Sequence, residues 1–229
     1  MFRYERELEA PVARWLARQG LAVRREFETP VGICDVVGCA LDQRRARLRR
    51  SLKQTLTLGP PTRVQLWHYI PNRASKRGTT IEELVARAGP FLDRALVEHE
   101  LHRLIDHGFV ETTQSGKLQR QAPWHPLHKR VVAIELKLTK VTDALSQAVR
   151  YAGFADEAFV GVPYATAHYA MSVRGEEFER AGIGLLAIRQ HGVQLLMAPQ
   201  PRRRSVFDPV AQTHAVERFW RAYVTDSST

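Results

Sequence analysis

Val131-Val132-Ala133-Ile134-Glu135-Leu136-Lys137-Leu138 is a run of apolar residues broken by one acid and one base. Side chains alternate between the two faces of a strand, so Ala133, Glu135 and Lys137 share one face and Ile134, Leu136 and Leu138 the other. A strand this apolar predicts burial. A glutamate and a lysine on one buried face are costly unless each finds a partner, and an ion pair between them is the plain structural explanation. Downstream, residues 142–156 predict a helix, and Ala158–Val162 (AFVGV) a second apolar strand that stops before Pro163. A helix over Ser172–Ala181, a hairpin of Gly184–Arg189 with Val193–Met197, and a helix over 208–224 complete this half. Upstream, residues 21–28 (LAVRREFE) read as a strand. Val31–Cys39 (VGICDVVGC) reads as another, buried and carrying a single acid, Asp35. Alternation of strands with helical segments predicts an α/β fold with a mixed central sheet flanked by helices.

Asp35 and Glu135 each stand alone as an acid inside an apolar strand. Set side by side they would repel, and such a pair either shares a proton or binds a cation. Carboxylate and carbonyl oxygens suit a hard divalent ion, Mg²⁺ or Mn²⁺. The ammonium of Lys137 could orient or deprotonate a water, or offset phosphate charge. Together these are parts for metal-assisted hydrolysis of a phosphodiester.

An Asp followed later by Glu-x-Lys on an apolar strand resembles the PD-(D/E)XK nuclease superfamily, the restriction-endonuclease-like fold. That family places a helix bearing a Glu before the Asp strand, and after the Lys strand a helix that often carries a Gln, then a further strand. Residues 3–19, Gln147 in Leu145-Ser146-Gln147-Ala148-Val149-Arg150-Tyr151, and AFVGV match that order. The resemblance covers roughly residues 3–40 and 130–200. The chain departs from the motif in having Ile33-Cys34 rather than a Pro ahead of Asp35. It implies that Asp35, Glu135 and the Leu136 carbonyl hold Mg²⁺ (or Mn²⁺), that Lys137 positions or activates the attacking water, and that Gln147 orients water, ligand or phosphate. The first helix has three candidate glutamates. On a wheel of about 100° per residue, Glu5 falls inside the apolar arc of Tyr4, Leu8, Val12 and Leu16, Glu7 on the wet face and Glu9 at the arc's edge. Glu5 is therefore the expected third carboxylate. Tyr151 reads as core packing.

About 99 residues separate Asp35 from Glu135, far more than a hairpin needs, and an inserted domain explains the gap. The charge lies there too. The chain has 34 Lys and Arg against 24 Asp and Glu, a net +10, and residues 41–130 hold 17 against 8, a net +9. A basic excess confined to one segment points to a polyanion, here DNA. Residues 41–57 predict a basic helix whose Arg44, Arg45, Arg47, Arg49, Arg50 and Lys53 point nearly all round, which suits phosphate contact better than base reading. Residues 62–70, 81–88 and 91–107 predict helices. Thr79-Thr80 caps the second, Leu92, Leu96, Leu101, Leu104 and Ile105 face inward on the third, and a hairpin follows over 109–121. That order resembles a winged helix-turn-helix. The resemblance implies a recognition helix with Arg94 and Arg103 and a wing with Lys117 and Arg120. Glu98, Glu100 and Asp106 on that helix oppose strong groove binding. The expected segments are thus 1–40 and 129–229 for the nuclease-like core and 41–128 for the insertion.

The chain has 229 residues, 44% of them apolar. No run approaches the roughly 20 apolar residues of a membrane span. The start, Met-Phe-Arg-Tyr-Glu-Arg-Glu, has no apolar signal region, and two cysteines cannot build a disulfide framework. Membrane insertion and secretion are therefore not expected, and a cytoplasmic chain is. The His99/His102 and His125/His128 pairs lack the spacing of a zinc helix. Met171, Met197, Trp67, Trp124 and Trp220 read as packing residues, and Arg202–Arg204 as a basic loop or phosphate-facing patch. The expected activity is a metal-dependent DNA endonuclease. The competing expectation is a winged-helix DNA-binding regulator on a silent nuclease-like scaffold, and a third is a module whose basic face meets an acidic protein. A homodimer would allow double-strand cutting, though nothing in the sequence requires one.

Overall fold

A computed structural model describes residues 2–51, 54–73, 77–90, 92–121, 127–200 and 207–226, with side chains of the last helix as far as Arg221. The chain forms two compact units. The first comprises Met1–Leu41 and His128–Gln212, the second Asp42–Leu127 and Thr213–Thr229. The last segment is where this division departs from the expected one: residues from Thr213 group with the basic middle of the chain, not with the core around Glu135. The physical reason is a buried ion pair, since Glu217 is needed to neutralise Arg49.

The first unit is a mixed α/β structure around a six-stranded sheet in the order β1-β2-β5-β6-β7-β8. The strands are β1 (Ala22–Thr29), β2 (Gly32–Leu41), β5 (His128–Leu136), β6 (Glu157–Pro163), β7 (Gly184–Arg189) and β8 (Gly192–Met197). Pairing is antiparallel from β1 to β5, parallel from β5 to β7, and antiparallel again at β8. The parallel crossovers are made by α6 (Val141–Tyr151) and α7 (Tyr164–Ala181).

The alternation of β5 divides its side chains between two cores. Ile134 and Leu136 join Val36, Val132, Phe159, Leu186 and Ile188 against Leu8, Val12 and Leu16 of α1 (Glu9–Arg18) and the turn before it. Those three residues of the N-terminal segment are fully buried, and each such burial is worth about 1.5–3 kcal/mol. On the opposite face Val160, Val162, Leu185 and Ala187 pack against Val141, Ala144, Leu145 and Ala148 of α6 and Ala167, Ala170 and Phe178 of α7. Glu135 pairs across to Val160, so it shares this α6 face.

Two helices of this unit differ from the sequence expectation. The N-terminal helix begins with a 3-10 turn over Glu5–Leu8 before α1, so the α-helical wheel does not apply to Tyr4, which is 59% exposed rather than inward. Pro11 is the third residue of α1, where its missing N–H has no partner to lose. Helix α7 starts at Tyr164, eight residues before Ser172. Its first two turns expose His168, Tyr169 and Met171, which blurs the apolar period and puts Met171 at the surface instead of the core.

The second unit contains α2 (Gln43–Ser51), α3 (Pro61–Tyr69), α4 (Ile81–Ala88), α5 (Arg94–Asp106), the hairpin of β3 (Val110–Thr112) and β4 (Leu118–Arg120), and the greater part of α8 (Pro209–Asp226). Helix α2 is shorter than the expected 41–57, because Gln54 and Leu56 turn their carbonyls back onto the Arg49 guanidinium. A capping box starts α4, with Thr80 accepting from Glu83 and the Glu83 side chain from Thr80. In α5, Val97, Leu101 and Leu104 are buried while Leu96 is 38% exposed. Leu101 and Leu104 are inward as expected, and Val97 takes the buried place expected for Leu96, because Val97, Leu101 and Leu104 follow the helical i, i+4, i+7 stripe. Trp67 and Trp220 are buried core residues. Trp124, His125 and Arg202–Arg204 lie outside the described residues.

Candidate functional site

Strand register brings the two isolated acids together. Val36 pairs with Ile134, and one step further along the same antiparallel register Asp35 stands opposite Glu135. Opposed residues project from the same face of a sheet. One oxygen of Asp35 accepts the Leu136 N–H at 2.6 Å. Burial, ahead of the neighbouring charge of Glu135, pushes the Asp35 carboxyl up from 3.8 to about 6, against the lowering effect of that N–H and of Lys137.

Glu135 is 1% exposed and is held from three sides. Lys137 donates to its Oε1 at 2.6 Å. The Tyr151 hydroxyl lies 3.0 Å from its Oε2 and 2.7 Å from the Ile33 carbonyl oxygen. Gln147, its amide nitrogen turned toward the sheet, donates to the same carboxylate. Lys137 also reaches the Leu136 carbonyl at 3.2 Å. Burial alone would lower the Lys137 ammonium, but its hydrogen bond to Glu135 and the charges of Glu135, Asp35 and Glu5 outweigh this and raise it above the ordinary value. Lys137 is therefore a cation and a donor here, and removing a proton from water is not its resting role.

Glu5 completes the group from the 3-10 turn. Its Oε1 accepts the Leu138 N–H at 3.3 Å and its Oε2 lies 3.7 Å from Lys137 Nζ. The fold thus gathers Glu5, Asp35, Glu135, Lys137 and Gln147 around the end of β5. Tyr151 is the residue that sequence reasoning left in the core. It is one helical turn beyond Gln147 on α6, and that i, i+4 spacing, which puts both on one helix face, was the signal available for it.

The donor set consists of hard oxygens: the two carboxylates and the Leu136 carbonyl. This chemistry fits Mg²⁺ or Mn²⁺ rather than a soft metal. The raised Asp35 carboxyl marks a place where added positive charge would be favourable. Among the described residues no three Asp, Glu, His or Cys side chains gather closely enough to hold an ion on their own. A metal here would rest on two acids, a backbone oxygen and water.

The basic candidates sort into two groups. Arg44, Arg47, Arg50, Arg103 and Lys117 are exposed. Arg45 is half-buried and pairs with Asp42 at 3.5 Å, and Arg94 is held by Glu98 at 2.7 Å. Two others do not point to a ligand. Arg49 is 4% exposed. It makes a two-pronged pair with Glu217 at 2.7 and 3.0 Å and lies over the Trp220 ring. Burying that guanidinium is tolerable only because its donors are satisfied. Arg120 donates to the Ile70 carbonyl at 2.6 Å and stacks over Trp67, so it braces the hairpin instead of extending from it. Lys53 lies outside the described residues.

No family model matches the chain, and no curated protein matches it. Among solved structures, a protein of unknown function from Silicibacter pomeroyi is similar at 12% identity, with 99% of this chain and 90% of that chain covered and a TM-score of 0.44. No helix among the described residues is long and apolar enough to cross a membrane.

Proposed function

We propose that the chain is a metal-dependent DNA endonuclease with a restriction-endonuclease-like core, and that the second unit is a winged-helix module that engages DNA. The observation that carries this reading is the convergence of Asp35, Glu135 and Lys137 at one end of β5, with Gln147 and Glu5 beside them. Asp35, Glu135 and the Leu136 carbonyl would hold Mg²⁺ or Mn²⁺. The bound ion would offset phosphate charge and make its water more acidic. Lys137, already an ammonium, donates toward the phosphate or the attacking water. Tyr151 and Gln147 fix the orientation of Glu135 by hydrogen bonds from α6, and Glu5 holds Lys137 from the other side. In the second unit, α3, α4, α5 and the β3-β4 hairpin follow the order of a winged helix-turn-helix. The exposed Arg44, Arg47, Arg103 and Lys117 supply salt-sensitive contacts to phosphate.

The test is incubation of the full chain with single-stranded, duplex and branched DNA in Mg²⁺, Mn²⁺ or EDTA, beside Glu135→Ala. Metal-dependent cutting that is absent in the variant is the expected result. Binding without cutting under every condition would overturn the reaction and leave a DNA-binding regulator on a silent scaffold. Absence of nucleic-acid binding at low salt would favour an acidic protein partner.

A further inference from the structure

Beside the carboxylate group runs an open groove of about 460 Å³, between the entry to α6 and the first turns of α7. One wall is Thr139, Lys140 and Thr142, the other Thr166, Tyr169 and Val173. Leu138 lies in the chain between Lys137 of the site and Thr139 of this lining, and its backbone links the two. The N–H of that residue is taken by Glu5, and its carbonyl accepts from Thr166 Oγ1 at 3.2 Å. Tyr169 is 69% exposed and Val173, one turn on, 54%. A tyrosine ring and an apolar neighbour are thus left to water in one groove, and no described residue covers them. The groove also presents an exposed lysine and the exposed hydroxyls of Thr139 and Thr142, with Asp143 as the acid on its lining.

We infer that this groove carries an unpaired DNA strand away from the scissile phosphate, and that Tyr169 is the platform on which one of its bases stacks. The inference rests on the nuclease reading for its direction and names the substrate class within it: DNA with a single-stranded segment, such as a flap or a frayed end. Lysine and hydroxyl donors match a phosphodiester backbone, and a ring beside them matches a base. In a duplex both faces of a base are covered by its neighbours, so a ring of this kind gains by stacking only where the strand is unpaired. An apolar protein segment would leave Lys140 and the threonine hydroxyls without a match.

The experiment measures binding without chemistry, using the full chain in EDTA at fixed salt. The probes are a fluorescent oligothymidylate and a blunt hairpin duplex, and the proteins are the parent, Tyr169→Ala and Tyr169→Phe. Loss of one base stack is expected to weaken oligothymidylate binding by about tenfold in Tyr169→Ala. Tyr169→Phe, which keeps the ring, should bind as the parent does, and duplex binding should not change in either variant. Thermal melts should coincide, since the side chain is exposed. Equal oligothymidylate affinity in Tyr169→Ala and the parent would overturn the inference, as would a Tyr169→Phe variant as weak as Tyr169→Ala. Because no cutting is involved, failure of the Glu135→Ala test leaves this result standing, and failure here leaves metal-dependent cutting untouched.

Discussion

Asp35 sits part-buried beside Glu135, and its carboxyl is raised to about 6 by burial first and by that neighbour second. An acid raised in the folded state holds a proton that the unfolded chain has already released. The stability it contributes is complete below about 3.8 and is lost as pH rises through about 6. In EDTA the protein should therefore lose stability over that window, and Asp35→Asn should flatten the slope while keeping an oxygen for the Leu136 N–H. Each pKa unit is worth about 1.4 kcal/mol. Because the group is partly solvated, the gain at pH 7 should be nearer about 1 kcal/mol, read from urea midpoints at several pH values. A variant no more stable than the parent at pH 7 would show that Asp35 is not strained. Mg²⁺ should reverse the order, since binding needs the ionised carboxylate and strengthens as pH passes through about 6. Lys137→Ala removes the ammonium that donates to Glu135. Cutting should fall by at least about a hundredfold, the scale of removing a charge-stabilising donor, with DNA affinity nearly unchanged. Retained metal-dependent cutting in a cleavage assay would sink the role given to Lys137. Asp35, Glu135 and Lys137 stand out in the sequence because a charge inside an apolar strand is a local anomaly. Tyr151 does not, because a buried tyrosine is ordinary until its hydroxyl is seen against Glu135.

At the level of elements, the strand that carries Glu135 depends on what lies beside it. Gly161 of β6 pairs with Leu136, and a Cβ there would meet Leu136 Cδ2 at 2.7 Å and Ile188 Cδ1 at 2.9 Å. Gly161→Ala must displace Leu136, whose carbonyl belongs to the proposed metal-binding set. The expected cost is about 1–3 kcal/mol of stability together with reduced cutting. Gly192→Ala, where nothing lies within 4 Å, should leave both unchanged and serves as the control. Equal stability and cutting in the two variants, by urea melt and cleavage assay, would refute this account of β6. The inner strands β2, β5, β6 and β7 are legible because apolar residues dominate them between breakers, and α4 because Thr79-Thr80 announces its N-cap. The 3-10 turn at Glu5 and the early start of α7 are not. In both, exposed aromatic residues break the period on which a helical reading depends, and the surrounding packing decides the local geometry.

Over the whole molecule, charge has two different uses within the same basic segment. The excess of +9 over residues 41–130 predicts affinity for a polyanion, yet a residue count does not say which cations face outward. Arg49 looks identical to its neighbours in Arg44–Arg50. It differs in being buried against Glu217, 168 residues on, a pairing that no local pattern announces. The two classes separate experimentally. Replacing both Arg44 and Arg47 by Ala should leave a urea melt nearly unchanged, because both side chains are exposed. The slope of log affinity for duplex DNA against log salt should drop by about 0.9 for each phosphate no longer neutralised, so by about 1.8 if both side chains touch the backbone. Arg49→Ala should do the opposite. It strands the Glu217 carboxylate in the second unit, at a cost of about 3–5 kcal/mol, and any fall in DNA binding should track unfolding, with the salt slope of the folded fraction preserved. Anisotropy titrations over a salt series, paired with melts of the same samples, measure both quantities. An unchanged slope in the double variant would mean that α2 does not lie against DNA. A stable Arg49→Ala protein with a reduced slope would return Arg49 to the DNA-facing set.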